Sequence, residues 1–569
     1  MLKLCKQKGV LELMNTRYLM AASIILIFAL ISAIGFIHVF PGETAPAEPI
    51  DNGSDEDNSF EQTPLVADYI LTGGKVIDGV SDEPYQADVA VKNGRIIFVG
   101  QAPSEIIGEE IDVSGLIVAP GFINSHSHTY EIIHEYRGAK AALRQGITTE
   151  VGGVDGRSPW PIDEHFKWIQ KQGVGVNYAL LAGQGTIRAR VIGYHDRAAA
   201  TPEIELMQEK VRQAMREGAL GLSTGLEYVP GSYTPTAELI SLSEAAAEYD
   251  GVYVTHMRSE GAEILQAIGE SLIIGEKADI SVGISHFKVV GQQNWHLYDE
   301  AMEMLNEGLA SLQKDGNTLW YDVYPYLSPD YAADMSLAAV YQQYPAEFIT
   351  PKIPQMQTGV DEKQSSEGRH PDPIAGEYTL AELAEQSGVT PGVKAQEILN
   401  EHPGARARVI MVSEEQLAET LTWPNAVIAN DASARPPMDE ELARRRHPRG
   451  WGTFPRILAR YTGPDKLSLT EAVTMMTSKP AEYLQLPQRG TIKKGYWADI
   501  TVFCPDTAAD TASFTNPQSY PQGIEYVWVN GEMVLRSGEI VDGVLAGRVI
   551  TGPGTTEDYQ GSDRRFENR

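Results

Sequence analysis

Two histidines, His126 and His128, stand one residue apart in ValAlaProGlyPheIleAsnSerHisSerHis (Val118 to His128), at the end of an apolar, strand-like run that starts near Gly115. Side chains alternate along a strand, so residues i and i+2 share a face, and this pair can reach one metal ion together. Two more histidines recur in similar places. His256 ends ValTyrValThrHis and His286 ends IleSerValGlyIleSerHis, separated by about 30 residues, the length of one βα unit. Asp431 closes a further apolar run, AlaValIleAlaAsnAsp. Taken singly, each imidazole is more often a satisfied, partly buried side chain than a ligand. Four of them with a carboxylate, each at a strand end, describe a one- or two-metal hydrolytic site.

The elements that must position these groups follow from the texture of the chain. Between residues 115 and 484, apolar strands alternate with amphipathic helical stretches, as in GlyAlaLeuGlyLeuSer, ThrAlaGluLeuIleSerLeuSerGluAlaAlaAlaGluTyr and ValTyrValThrHisMetArg. Strand, helix and strand in series argue a parallel sheet, and many repeats of it predict a (β/α)8 barrel. Barrel active sites lie at the carboxyl ends of the strands, which would aim all four imidazoles into one cavity. Between the strand near Tyr321 and the one ending at Asp431 lie about 100 residues, more than one βα unit needs, so a subdomain or lid is expected at about residues 330–425.

Short alternating runs separated by Gly and Asp turns occupy residues 65–114, and a similar texture returns in residues 485–550. They predict hairpins that build either one small β-sandwich from both chain ends or two separate sheets. Ahead of them, residues 18–40 are apolar and follow a basic segment, residues 1–17, with Lys3, Lys6, Lys8 and Arg17. A run of that length predicts a single transmembrane helix with its basic end in the cytoplasm, in preference to a cleaved signal peptide. Either reading exports the catalytic body, on the membrane or secreted. Residues 41–64 are rich in Pro, Gly and acids and read as a linker, and residues 551–569 as a disordered tail.

Composition narrows the function. The chain has 569 residues with 77 acidic against 46 basic side chains, a net charge of −31. Phosphate backbones would be repelled, so nucleic-acid binding is disfavoured and any basic site must be local. The two cysteines, Cys5 and Cys504, allow no disulfide framework and no cysteine zinc knuckle. Cys504 is expected to be buried and inert.

The motifs PGFINSHSH, GITTEVGG, GALGLSTGLEYVPGSYTP, THMRSEG, ISHFKVVG, HPRGWGTFPR and RGTIKKGYWADITVF, in this order, resemble the amidohydrolase superfamily, and within it the N-acyl-D-amino-acid deacylase (D-aminoacylase) branch. The resemblance spans about Asp68 to Gly543. It implies a distorted (β/α)8 TIM-like barrel with a small β-domain, and zinc-dependent hydrolysis of the amide in N-acyl-D-amino acids. It places one tight zinc on His256 and His286, a weaker or optional metal on His126 and His128, and the catalytic carboxylate at Asp431. Lys288 and Tyr228 would hold the substrate α-carboxylate, with Arg258 nearby as a further substrate-binding residue or a solvated one.

The chain departs from the family pattern at three positions. A metal-binding cysteine is replaced by Asp155 in GlyValAspGly; a carboxylate can bridge two ions, and Glu150 is a second candidate for that role. Gln184 stands where relatives show His, and Asn124 where they show Asp. The cluster ArgArgArgHisProArg, Arg444 to Arg449, would close over an anionic substrate or be a charged helix end. Two other readings are a cyclic-amide hydrolase or isoaspartyl dipeptidase of the same superfamily, and an inactive binding relative.

Overall fold

Eight short parallel strands, each rich in buried β-branched or small residues, surround a common axis in the computed structural model. The structure describes residues 65–332, 335–352, 378–435, 446–514 and 516–556. In chain order the strands are β1 (Phe122–Asn124), β2 (Ile147–Gly152), β3 (Asn177–Leu180), β4 (Gly221–Gly225), β5 (Val252–His256), β6 (Val282–Ile284), β7 (Leu319–Val323) and β8 (Ala426–Ile428). Every residue of β5 and β7 is buried, as expected of strands covered on both faces. Parallel pairing runs from β1 to β3 and from β4 to β8. Leu220 N–H donates to Leu180 C=O at 2.8 Å between β3 and β4. A parallel bridge from Ser127 to Ala432 joins the loops after β1 and β8 and closes the ring. The expected barrel is therefore present.

Ile123, Val151, Val254, Trp320 and Val427 form one buried cluster drawn from β1, β2, β5, β7 and β8. Helices such as Thr201–Arg216, Thr236–Ala247 and Ile264–Ala278 cover the outside. Pro202 sits in the first turn of Thr201–Arg216, where its missing N–H leaves no bond unmade.

Both ends of the described chain build a β-sandwich. One sheet holds Leu65–Thr72, Asp88–Lys92, Arg95–Gly100 and Ile106–Asp112. In the other, Ile117–Pro120 pairs antiparallel with Ile500–Phe503, so the small domain reaches past residue 114. Leu71, Val89, Ile96 and Ile111 pack on Val118, Ile500, Val502 and Trp528 between the sheets. A fully buried aromatic of this kind contributes about 2–3 kcal/mol.

The C-terminal tail begins later than the composition suggests. Arg548 C=O accepts from Tyr178 N–H at 2.8 Å, and Gly552 N–H donates to Gly218 C=O at 2.9 Å. Ile550 and Thr555 are buried. Residues 551–556 thus clasp the barrel wall, because these backbone bonds and Ile550 hold them there, and residues 557–569 lie outside the described residues.

Between β7 and β8 sits a subdomain with a three-stranded sheet, Met335–Ser336, Arg406–Val409 and Ile349–Pro351. Helices Leu380–Gln386 and Pro391–Glu401 pack on it, each started by a threonine side chain that accepts a backbone N–H. Its core gathers Leu337, Val340, Ile349, Leu380, Ile398 and Val409. It leans on the segment after β6, where Met411 C=O accepts from Gly291 N–H at 2.8 Å and from Trp295 Nε1–H at 3.1 Å.

The N-terminal segment, the transmembrane helix and the linker expected over residues 1–64 lie outside the described residues. No helix among the described residues is long and apolar enough to cross a membrane. Cys504, expected to be buried, is half-buried at the end of Ile500–Phe503.

Candidate metal and catalytic centre

The loop after β2, GlyGlyValAspGly, turns back on itself. A side chain on Gly153, at φ +75°, would meet Leu181 O at 2.1 Å, so only glycine fits there. Asp155 follows at φ 53° and its carboxylate rises between the histidines. One oxygen, Oδ2, lies 3.5 Å from His126 Nε2 and 3.4 Å from His128 Nε2. The other, Oδ1, lies 3.7 Å from His286 Nε2 and 3.9 Å from His256 Nδ1. Asp431 Oδ1 completes the first group, 3.1 Å from His128 Nε2 and 3.5 Å from His126 Nε2.

Two sets of donor atoms result, His126, His128, Asp155 and Asp431 on one side and Asp155, His256 and His286 on the other. Asp155 belongs to both. His126 Nε2 and Asp155 Oδ1 are buried without a hydrogen-bond partner, although groups so deep are normally paired. Imidazole nitrogens and carboxylate oxygens suit zinc. Donor chemistry and the two unsatisfied atoms both fit a cation between these side chains.

Three of these residues, Asp155, His286 at φ 37° and Asp431 at φ 47°, adopt left-handed backbone. Asp and His tolerate that region better than most side chains, and such strain gathers at functional sites. It turns His286 and Asp431 inward just past the ends of β6 and β8.

Neighbouring carboxylates orient the rings. Asp322, on β7, has Oδ2 at 3.3 Å from His126 Nδ1, while Oδ1 accepts from His286 N–H at 2.8 Å. With Nδ1–H given to Asp322, His126 keeps a lone pair on Nε2 for a metal. Glu260 Oε1 is 2.6 Å from His286 Nδ1 and 2.5 Å from Lys288 Nζ. Arg449 NH1 lies 3.0 Å from Asp431 Oδ2. Burial opposes ionisation of Asp431, but the charges of Arg449 and His126 hold its carboxyl well below the usual range. For Asp155, too, burial is outweighed, here by the charge and hydrogen bonds of the surrounding histidines.

The site opens into a cavity of about 670 Å³ lined by His128, Asp155, His256, His286, Asp431, Lys288 and Tyr228, among others. Tyr228 OH stands 3.4 Å from His256 Nδ1. Arg258 is elsewhere: it pairs with Glu270 at 2.9 Å and donates to the carbonyls of Ser232 and Thr234. That fork of three acceptors fixes a loop and turns the guanidinium away from the cavity. Glu150 joins neither donor set; Asn124 Nδ2 donates to it at 3.0 Å, and burial pushes its carboxyl up to about 7. Asn124 also bonds the backbone and side chain of Asn430, tying β1 to the end of β8. Gln184, buried, donates to Thr234 Oγ1 at 3.0 Å and does not line the cavity. Of the arginine cluster, Arg444 and Arg445 lie outside the described residues, Arg446 lines the cavity and Arg449 is buried against Asp431.

Sequence reasoning passed over Asp322, Glu260 and the pairing of Arg449. Asp322 had a signal: it is the one carboxylate in LeuTrpTyrAspVal, and a carboxylate in a buried strand needs a partner.

A family model described as the amidohydrolase family matches residues 444–535. The chain is 32% identical over 507 residues to the D-aminoacylase of Alcaligenes xylosoxydans xylosoxydans, covering 85% of this chain and 97% of that protein. It is 30% identical over 502 residues to the N-acyl-D-aspartate deacylase of the same organism, covering 84% and 94%. Among solved structures, the N-acyl-D-glutamate deacylase from Bordetella bronchiseptica, complexed with zinc and a phosphonate inhibitor that mimics the tetrahedral intermediate, superposes with a TM-score of 0.67 at 28% identity, covering 85% of this chain and all of that one.

Proposed function

The chain belongs to the D-aminoacylase family of amidohydrolases, and from that membership we propose that it is a metal-dependent amidase, cleaving N-acyl-D-amino acids to a carboxylic acid and a free D-amino acid. The observation that carries the reading is the pair of donor sets sharing Asp155, with Asp431 beside them and a ligand-sized cavity above.

His256, His286 and Asp155 would hold the principal zinc ion, and His126 and His128 with Asp155 a second one. A bound zinc ion supplies positive charge that acidifies water and polarises a carbonyl. The chain's own residues do the rest. Arg449 engages Oδ2 of Asp431 and keeps the carboxylate ionised. Its Oδ1 accepts the proton of the attacking water and afterwards gives that proton to the leaving amine nitrogen, so one group serves as base and then acid. Tyr228 offers a hydroxyl to the α-carboxylate. With the His286 Nδ1 proton given to Glu260 at 2.6 Å, Lys288, which donates to Glu260 and the His286 carbonyl and lies 3.1 Å from that ring nitrogen, has a third N–H for the same group.

The full chain should contain zinc and turn over N-acetyl-D-amino acids in preference to their L-enantiomers and to cyclic amides. Asp431→Asn should lower kcat by about 10²–10⁴-fold. A metal-free protein, or unchanged turnover in Asp431→Asn, would sink the proposal. An exported or membrane-anchored catalytic body is supported by the basic and apolar residues 1–40, and fractionation of cells producing the full chain tests it.

A further inference from the structure

Glu150, on β2, carries a fully buried carboxyl that the proposed reaction does not use. No cation offsets its burial; only side-chain hydrogen bonds from Ser127, Asn124 and Thr129 act against it. A carboxyl in such a place costs folding free energy that an apolar side chain would not. What the carboxyl holds in place explains why it is there.

Two hydrogen-bond arms start at its Oε2. In the first, Asn124 on β1 donates one N–H to Glu150 at 3.0 Å and the other to Asn430 Oδ1 at 2.9 Å, while its own oxygen accepts from Asn430 N–H at 2.9 Å. Asn430 Oδ1 accepts in turn from Ala432 N–H at 3.0 Å. In the second, Thr129 Oγ1 accepts from Ser127 Oγ–H and from Ala434 N–H, both at 2.9 Å. Its single proton is then left for Glu150, at 3.4 Å. Asn124, Ser127, Thr129 and Asn430 are all buried, so no solvent competes for these bonds. Both arms begin beside His126 and His128 and end on backbone N–H groups that flank Asp431. Asp431 itself sits in left-handed backbone at φ 47°, a conformation that persists where its surroundings over-determine it. The amide of Asn124 and the hydroxyl of Thr129 both need an acceptor at residue 150, and that acceptor sets the direction of every bond in the two arms.

We propose that Glu150 is a positioning residue for Asp431: through Asn124 and Thr129 it fixes residues 430–434 against the segment of His126 and His128, and so fixes where the Asp431 carboxylate meets the attacking water. Oε2 serves as the acceptor whether or not the carboxyl carries a proton on its other oxygen. This inference rests on the amidase function proposed above.

The test uses the zinc-loaded full chain and whichever of N-acetyl-D-leucine and N-acetyl-D-glutamate the wild type turns over faster. Glu150→Leu removes the acceptor and Thr129→Val one donor, neither adding a charge. Both should lower kcat by about 10–100-fold, the cost of a misplacement on the order of 1 Å, with KM and bound zinc within about twofold of wild type. Glu150→Gln keeps an oxygen acceptor in the same place and should run at least about fivefold faster than Glu150→Leu. A purely structural role would move the urea midpoint and leave the kcat of the folded variants unchanged, and that result overturns the proposal. So does an equal loss in Glu150→Gln and Glu150→Leu, or a loss that follows departure of zinc. Should Glu150→Leu fail to fold, the kcat of Thr129→Val decides. No turnover by the wild type overturns the amidase function and this inference together, whereas a wild-type kcat retained by the variants overturns this inference alone.

Discussion

Asp155 decides what the centre can hold. A carboxylate presents one oxygen to each donor set, 3.4 Å from His128 and 3.7 Å from His286, and so links two cation positions. Replacing it by cysteine keeps a ligand for one ion but removes the paired oxygens, so Asp155→Cys should lower the bound metal per chain, measured by elemental analysis after dialysis. Asp322 acts on both sets at once through His126 and the His286 backbone. Asp322→Asn should weaken metal binding by about 10–100-fold, read by titration with a competing chelator. An unchanged affinity would show that the ring orientation is fixed by other contacts.

At the scale of elements, the site depends on where strands stop. β5 ends on His256, and β6 and β8 give way to left-handed residues at His286 and Asp431. The strand ends and the alternation that aligns His126 with His128 were legible in the sequence, because apolar runs closing on a ligand-type residue are local signals. The turn of Arg258 toward Glu270 was not, since the residues that capture it come from the loop after β4 and a helix after β5. Nor was the Glu260 to Lys288 pair, which joins the loops after β5 and β6. Glu150 and Asp155 stand only five positions apart, yet the turn at Gly153 separates a β2 side chain from the metal-facing loop. The sandwich is a separate matter of packing. Trp528→Ala should cost about 3–5 kcal/mol in urea unfolding with little change in KM, because Trp528 lies between the two sheets and away from the cavity.

The whole molecule carries a built-in acid sensitivity away from the metal. His165, buried on helix Ile162–Gln172, has its pKa lowered to about 4 by burial and by His134 at 3.2 Å. In the unfolded chain it titrates near the ordinary histidine value, about 6.5. The folded state therefore refuses a proton that the unfolded state accepts. The associated stability is present above about 6.5 and is lost as pH falls toward 4, up to about 3 kcal/mol. His165→Leu should flatten the acid limb of the stability profile in that window, and an unaltered limb would assign the loss to other groups. That pair, one ring buried and the other exposed, is invisible to sequence patterning, since His134 and His165 are distant in the chain and neither belongs to a metal motif.

The pairing of Ile117–Pro120 with Ile500–Phe503 also sets a timetable for synthesis. The edge that the later strand covers leaves the ribosome several hundred residues before its partner, so the N-terminal half-sandwich waits, with Val118 and its neighbours uncovered, until Ile500–Phe503 has been made. Contacts of such wide sequence separation form late and leave apolar edges open to wrong partners in the meantime. A chain ended before Ile500 should be degraded by protease along much of its length, rather than persist as a barrel that has lost a cap.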